Sequence, residues 1–172
     1  MRRAIIVTKT ASNSVINRYK GSNIIVLSNN KGEIIEDYQE IKNAIDELFH
    51  KGFDEISILC SKGDSVLTSM SFVYLFKCFP HIKLEIVLDN EIVSYYEKGT
   101  YVINKGMSKE LALFALKPSL ITIDYFNETL KHYTLDDSNP YVKGLIITNR
   151  IGVLNVEKGE VLLIKKEGDN YA

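Results

Sequence analysis

The sequence predicts an α/β protein with a Rossmann-like, mainly parallel sheet and flanking helices, followed by a small C-terminal α+β unit of winged-helix type. In the first part of the chain, short β-branched runs alternate with longer amphipathic segments, which is typical of strands covered by helices on both faces. After Asn104 the apolar residues recur at helical spacing and end in a candidate hairpin. We therefore expect a Rossmann-like domain at residues 1–104 and a winged-helix-like domain at residues 105–172.

The composition is that of an ordinary globular protein. The chain has 172 residues, of which 45% are hydrophobic and 25% charged, and its net charge is −1. It contains neither a secretory signal pattern nor a run of about 18 apolar residues, so we expect a cytoplasmic protein with no membrane partner. Cys60 and Cys78 stand apart without a C-x-x-C motif, which favours packing residues in a reduced compartment. No metal or other cofactor is predicted.

The elements of the first domain follow from apolar runs and their stop signals. Strands are predicted at 4–7, 23–27, 56–60 and 83–88, where β-branched residues cluster between turn residues. The apolar spacing of three and four from Ile34 to Phe49 predicts an amphipathic helix that stops at Gly52. A second long helix is predicted from Val66 to Phe79, because Pro80 ends the apolar run.

Two polar loops follow the first strand and the strand at 56–60. If the strands are parallel, both loops lie at the carboxyl edge of the sheet, where ligands bind in open α/β folds. Their hydroxyl groups, two lysines and a glycine suit an anion or a phosphodiester. The predicted ligand-binding residues are Thr8, Lys9, Thr10, Ser12, Asn13, Ser61, Lys62, Gly63 and Asp64. The alternative is that Ser12, Asn13, Asp64 or Ser65 only caps a helix.

The helix from Val66 to Phe79 is apolar nearly all the way round. Such a helix requires cover on two sides. One side is assigned to the sheet and the other to a second subunit, so we expect a homodimer. The alternative is that another helix of the same chain covers the second side.

The C-terminal segment shows an order typical of a winged helix. Helices are predicted at 108–116, from about Thr122 or Asp124 to His132, and at 139–150, followed by a hairpin that turns at Lys158 and Gly159. The third helix and the wing would then contact duplex DNA through Tyr141, Lys143, Arg150 and Lys158. Two observations oppose this prediction: the charge of residues 107–172 is nearly balanced, and residues 142–164 are also compatible with a β-meander.

This combination resembles the CARF domains, the CRISPR-associated Rossmann folds, and in particular the CARF regulators with a C-terminal winged helix. The resemblance rests on the strand at 5–8 entering the Ser/Thr-rich loop 9–14, on the strand at 58–60 entering the loop 61–64, and on the strand-rich segment 84–103 before the appendage. It implies a homodimer whose paired loops bind cyclic oligoadenylate or another nucleotide.

The functional hypothesis is therefore a ligand-responsive transcription regulator that couples nucleotide binding to DNA binding. The first alternative is an enzyme, a metal-independent ring nuclease that opens cyclic oligoadenylate with Lys9 or Lys62 stabilising charge on the phosphate. No catalytic residue is assigned, because neither loop holds a His or a carboxylate pair suited to acid–base chemistry. The second alternative is a non-catalytic interaction protein on the same fold.

Overall fold

The computed structural model describes residues 2–8, 11–19, 23–26, 34–60 and 66–167. The chain divides into two compact units, Met1–Asp89 and Asn90–Ala172. Within the described ranges, ten strands and three helices are present.

The first unit is a small parallel sheet with three helices. Its elements are β1 (Arg3–Val7), α1 (Asn13–Asn17), β2 (Asn23–Val26), α2 (Ile34–His50), β3 (Glu55–Leu59), α3 (Val66–Cys78) and β4 (Lys83–Val87). The strand order is β2-β1-β3-β4, and each neighbouring pair is parallel. The chain thus moves from β1 to β2 on one side and then crosses to β3 on the other side. The carboxyl ends of β1 and β3 therefore form a topological switch point, where open α/β sheets leave a crevice.

Helix α2 packs against β1 and α3 with its apolar stripe. Ile41, Ile45 and Leu48 are buried along this stripe. The helix ends where Gly52 adopts a φ of +83°. The Gly52 N–H then donates to the Phe49 carbonyl (2.9 Å) and the Phe53 N–H to the Leu48 carbonyl (3.1 Å), which is the hydrogen-bond pattern of a Schellman cap.

Helix α3 buries one side and exposes the other. Phe72, Leu75 and Phe76 are at most 5% exposed, whereas Met70 is 61% and Tyr74 64% exposed. The last two residues lie four positions apart and so share one helix face. No helix in the described part of the chain has the length and hydropathy of a membrane span.

The second unit is an antiparallel β structure. Its strands are β5 (Glu91–Asn104), β6 (Ser108–Ala115), β7 (Ser119–Asp124), β8 (Leu130–Leu135), β9 (Tyr141–Leu145) and β10 (Ile151–Glu167). The first half of β10 pairs with β5 and β7, and the second half pairs with β5 and β6. Strand β10 is thus shared between the β6–β9 pair and the β7–β8 pair, and β5 runs along its other edge. Buried residues from these strands and their connections form one apolar core: Ile103, Leu111, Leu113, Ile121, Ile123, Phe126, Leu135, Leu145, Ile147, Leu154, Val156, Val161 and Leu163.

The predicted winged helix and the predicted fold class as a whole are wrong. The first predicted helix is replaced by β6 (Ser108–Ala115), the second by parts of two strands, β7 and β8, and the third by β9 and a turn. The period of burial explains the error: Leu111 and Leu113 face the core with Ala112 between them less buried, which is the period of two of a strand. Gly144, with a φ of +77°, also opposes a helix across 139–150.

The predicted hairpin at Lys158 and Gly159 is likewise absent, because β10 continues through it as one strand with a bulge. Residues 142–145 and 151–164 are strands, as the meander alternative required, but β9 pairs with β6 rather than with β10. The sequence-based boundary at 104/105 falls in the turn between β5 and β6.

Candidate functional site

The ends of β1 and β3 are tied together at the carboxyl edge of the parallel sheet. Val7 is the register partner of Leu59. The next residue, Thr8, donates to the Leu59 carbonyl twice, from its hydroxyl (2.8 Å) and from its N–H (3.1 Å). On the other side of β3, the Cys60 N–H donates to the Val87 carbonyl (2.9 Å). The segments that follow β1 and β3 therefore start side by side.

Ser12 connects the first of these segments to the end of β4. Its hydroxyl donates to Asp89 Oδ1 across 2.6 Å, and its oxygen accepts from the Val15 N–H at the start of α1 (3.4 Å). The hydroxyl oxygens of Ser12 and Ser14 lie 3.0 Å apart. Because Ser12 has only one hydroxyl proton, Ser14 is the donor in that pair. Ser12 thus caps α1, as the alternative in the sequence analysis had it, and also holds a carboxylate.

Arg18 contributes a cation to the same edge. It follows α1, and its Nη2 donates to the main-chain carbonyl of Asp89. A guanidinium group and a carboxylate therefore lie at the carboxyl ends of the strands together with Thr8 and Ser12. A site with both charges suits a ligand that carries a cationic part and an anionic part.

The predicted ligand-binding residues fall into two groups. Lys9, Thr10, Ser61, Lys62, Gly63 and Asp64 lie outside the described residues. Thr8 and Ser12 lie at the carboxyl edge, and Asn13 is exposed at the start of α1. Within the described ranges, no group of three or more His, Cys, Asp or Glu side chains is arranged to bind a metal ion.

Arg18 and Asp89 were not predicted from the sequence as site residues. A signal for Asp89 was present, because it follows β4 almost directly, in the way that Thr8 follows β1. No comparable signal marks Arg18. Its position depends on the short length of α1, which returns the chain toward β4.

The residues predicted to bind DNA do not form one surface. Tyr141 and Lys143 share the exposed face of β9, whereas Arg150 precedes β10 and Lys158 lies within β10. At about 3.3 Å per residue, Arg150 and Lys158 are roughly 25 Å apart along the strand. Since the recognition helix is also absent, the predicted DNA-binding function is not supported.

Comparison with known proteins identifies the fold. No protein-family model matches the sequence, and no curated protein matches it. Solved structures do match over nearly the whole chain. The thiamine pyrophosphokinase from Bacillus subtilis has a TM-score of 0.73 at 12% identity, covering 97% of this chain and 100% of that one. The thiamin pyrophosphokinase from Geobacillus thermodenitrificans has a TM-score of 0.75 at 10% identity, covering 99% and 100%.

The same fold extends to a eukaryotic enzyme. Yeast thiamin pyrophosphokinase has a TM-score of 0.70 at 7% identity, covering 97% of this chain and 86% of that one. The expected resemblance to CARF regulators is therefore wrong, and with it the expected CRISPR-linked function in transcription and the ring-nuclease alternative. At these identities the likeness shows the fold alone: this chain has the fold of the thiamine pyrophosphokinases.

Proposed function

We propose that this protein binds thiamine or thiamine diphosphate at the carboxyl edge of its parallel sheet. The observation that carries the proposal is the likeness of the whole chain, both units included, to thiamine pyrophosphokinases. A likeness of one unit alone would support only a common α/β sheet, because that architecture serves many functions.

The geometry of the edge supports a ligand of this chemistry. Thiamine carries a cationic thiazolium ring, which Asp89 complements. The diphosphate of the product, or the triphosphate of a nucleotide, is complemented by Lys9, Lys62 and the hydroxyl groups of the two loops that start at the joined ends of β1 and β3. We therefore retain all nine sequence-predicted ligand residues in the proposal and add Arg18 and Asp89.

The names of the structurally similar proteins indicate which reaction to propose if this protein is an enzyme. A pyrophosphokinase moves a pyrophosphoryl group from a nucleoside triphosphate to an acceptor hydroxyl, and a nucleoside monophosphate leaves. Cations that hold the moving phosphates are the main requirement of phosphoryl transfer. The two loop lysines and Arg18 are the groups of this chain that fit that role.

We also propose that the protein forms a homodimer through α3. This helix was expected from its sequence to face a partner, and the burial pattern supports a different set of contact residues from Phe72 and Phe76. Phe72 and Phe76 are buried within the chain, whereas Met70 and Tyr74 form the exposed apolar face. Large apolar side chains that share one exposed helix face are typical of an interface.

Isothermal titration calorimetry with thiamine, thiamine diphosphate and ATP tests binding, and chromatography of a reaction with thiamine and ATP tests turnover. We expect a binding heat with thiamine diphosphate. Lys62→Ala should lower the affinity about tenfold, whereas Lys109→Ala, at an exposed position of the second unit, should leave it unchanged. Binding without turnover supports a binding protein, and binding with formation of the diphosphate supports the enzyme. Absence of heat with all three compounds contradicts the proposal.

A further inference from the structure

Three side chains meet on the surface of the second unit, away from its apolar core. Thr122 lies on β7, His132 on β8 and Glu157 on β10. The Thr122 hydroxyl donates to Glu157 Oε1 (2.6 Å), and His132 Nδ1 lies 2.8 Å from Glu157 Oε2. The same Thr122 oxygen accepts the main-chain N–H of His132 (3.0 Å). Both oxygens of one carboxylate are thus engaged by neighbouring strands.

Two separate β-bulges bring these groups together. Between β7 and β8, Ile121 pairs with Tyr133 and Ile123 with Leu130, so the single residue Thr122 faces two residues, Lys131 and His132. Between β7 and β10, Ile121 pairs with Val156 and Leu120 with Lys158, so Glu157 is the additional residue. Bulges re-aim side chains and are enriched next to functional sites. Here the two bulges, one on each side of β7, direct the His132 and Glu157 side chains toward Thr122.

The backbone of His132 adds a second unusual feature. Its φ of +48° lies in the left-handed region, which few residues other than glycine adopt and which is concentrated at functional sites. The His132 side chain is 75% exposed and that of Glu157 21%. Hydrogen bonds from Thr122 and then His132 hold the pKa of Glu157 below its ordinary value, so the carboxylate is ionised at neutral pH. Because an ionised carboxylate only accepts, this contact places a ring proton on His132 Nδ1, and in the neutral imidazole the lone pair is then on Nε2.

The surroundings favour an anionic reaction partner. Lys131 is adjacent to His132 in the chain and Lys158 is adjacent to Glu157, and both lysines are exposed. An imidazole whose Nδ1 is held by a carboxylate, with an exposed lysine next in sequence to each of the two residues, suits a phosphoryl group. We propose that His132 is a phosphoryl-acceptor site, with Glu157 and Thr122 as its positioning residues and a phosphoramidate or an acyl phosphate as the class of donor.

The transfer balances without any further reactant. His132 Nε2 attacks the phosphorus atom of phosphoramidate in the form whose nitrogen carries three protons, and the bond from phosphorus to that nitrogen breaks. That nitrogen takes the bonding electron pair and departs as ammonia. The ring then carries the phosphoryl group on Nε2 and its proton on Nδ1, and the Glu157 carboxylate offsets the positive charge of the ring.

The chain contains its own control. His50 is also exposed, but its Nδ1 lies 2.7 Å from the neutral main-chain carbonyl of Asp46. We would treat the whole protein with potassium phosphoramidate at about pH 8, where free imidazole is largely neutral, and follow His132 and His50, two of the three histidines of the chain, by mass spectrometry. Phosphorus NMR distinguishes the two ring nitrogens. We expect His132 to react at Nε2 about tenfold faster than His50.

Two variants separate this role from a purely structural one. Glu157→Gln keeps the shape and the hydrogen bond to Thr122 but removes the charge, and we expect it to slow modification of His132 about tenfold while His50 reacts as before. His132→Asn tolerates the left-handed backbone and should abolish the fast modification. Equal rates at His132 and His50 in the unaltered protein would overturn the proposal without any variant. So would an unchanged rate in folded Glu157→Gln, or modification mainly at Nδ1.

Discussion

Thr8, the residue after β1, donates its hydroxyl proton to the main-chain carbonyl of Leu59, the last residue of β3, across 2.8 Å. This bond joins the two strands at the point where the strand order of the sheet reverses. Because the two polar loops of the first unit begin there, the bond fixes the spacing between their first residues. The proposed ligand site depends on that spacing.

Replacing Thr8 with valine tests this dependence. The change keeps the branched shape and removes the hydroxyl, while the Thr8 N–H still serves the Leu59 carbonyl. We expect a loss of about 0.5–1 kcal/mol in the free energy of unfolding, measured by urea denaturation, and weaker binding of thiamine diphosphate. Thr134→Val, at an exposed position of β8, is the control. Unchanged ligand affinity in Thr8→Val would move the site away from this edge.

Tyr74→Glu tests the proposed dimer contact on α3. The side chain is 64% exposed, so the monomer should lose no more than about 0.5 kcal/mol of stability, whereas a charge in an apolar interface should dissociate the dimer. Sedimentation velocity at micromolar concentration measures the mass, with Gln39→Glu on α2 as a control. Phe72→Asp should instead unfold the chain, because Phe72 is 5% exposed. A monomeric mass for the unaltered protein would contradict the dimer.

Gly152 is predicted to tolerate no side chain. A Cβ atom built on it would lie 2.5 Å from Cε2 of Phe126 and 3.1 Å from Cγ1 of Ile147. We expect Gly152→Ala to destabilise the protein by about 1–3 kcal/mol, measured by thermal and urea unfolding. In a double-mutant cycle, Phe126→Leu should relieve part of that cost. Strictly additive effects would show that the ring is not the obstacle.

The pKa of Glu157 gives a pH dependence with a defined sign. Hydrogen bonds lower the pKa from the ordinary value of 4.5 in the folded state, so ionised Glu157 stabilises the protein above pH 4.5. That stabilisation is lost as the pH falls through the lower folded value. Glu157→Gln should therefore be less stable than the unaltered protein at neutral pH, and the two should converge in acid. A difference that grows below pH 4.5 would contradict the assignment.

The sequence was informative where the apolar runs were short and bounded by turn residues. The strands predicted at 4–7, 23–27, 56–60 and 83–88 are β1 to β4, with ends that differ by at most one residue. Helices α2 and α3 were also predicted, because each has a clear stop signal, Gly52 for one and Pro80 for the other. Parallel pairing then brings the ends of β1 and β3, after which the two polar segments follow in the sequence, to the same edge of the sheet.

The second unit was misassigned because its apolar residues satisfy two periods. Leu111, Phe114 and Ala115 fit a helix, whereas Leu111 and Leu113 fit a strand, and over eight residues neither spacing excludes the other. Pairing with the distant strand β10 makes this segment a strand. The local sequence contains no signal of that pairing. The cluster of Thr122, His132 and Glu157 was missed for the same reason, since two bulges between distant strands create it.

A crystal structure of the protein with thiamine diphosphate tests the central claim most directly. We predict density for the ligand at the carboxyl ends of β1 and β3, with the diphosphate against the loops that follow them and the thiazolium ring on the side of Asp89. Density elsewhere on the protein, or an empty edge at ligand concentrations that saturate the calorimetric signal, would contradict the claim.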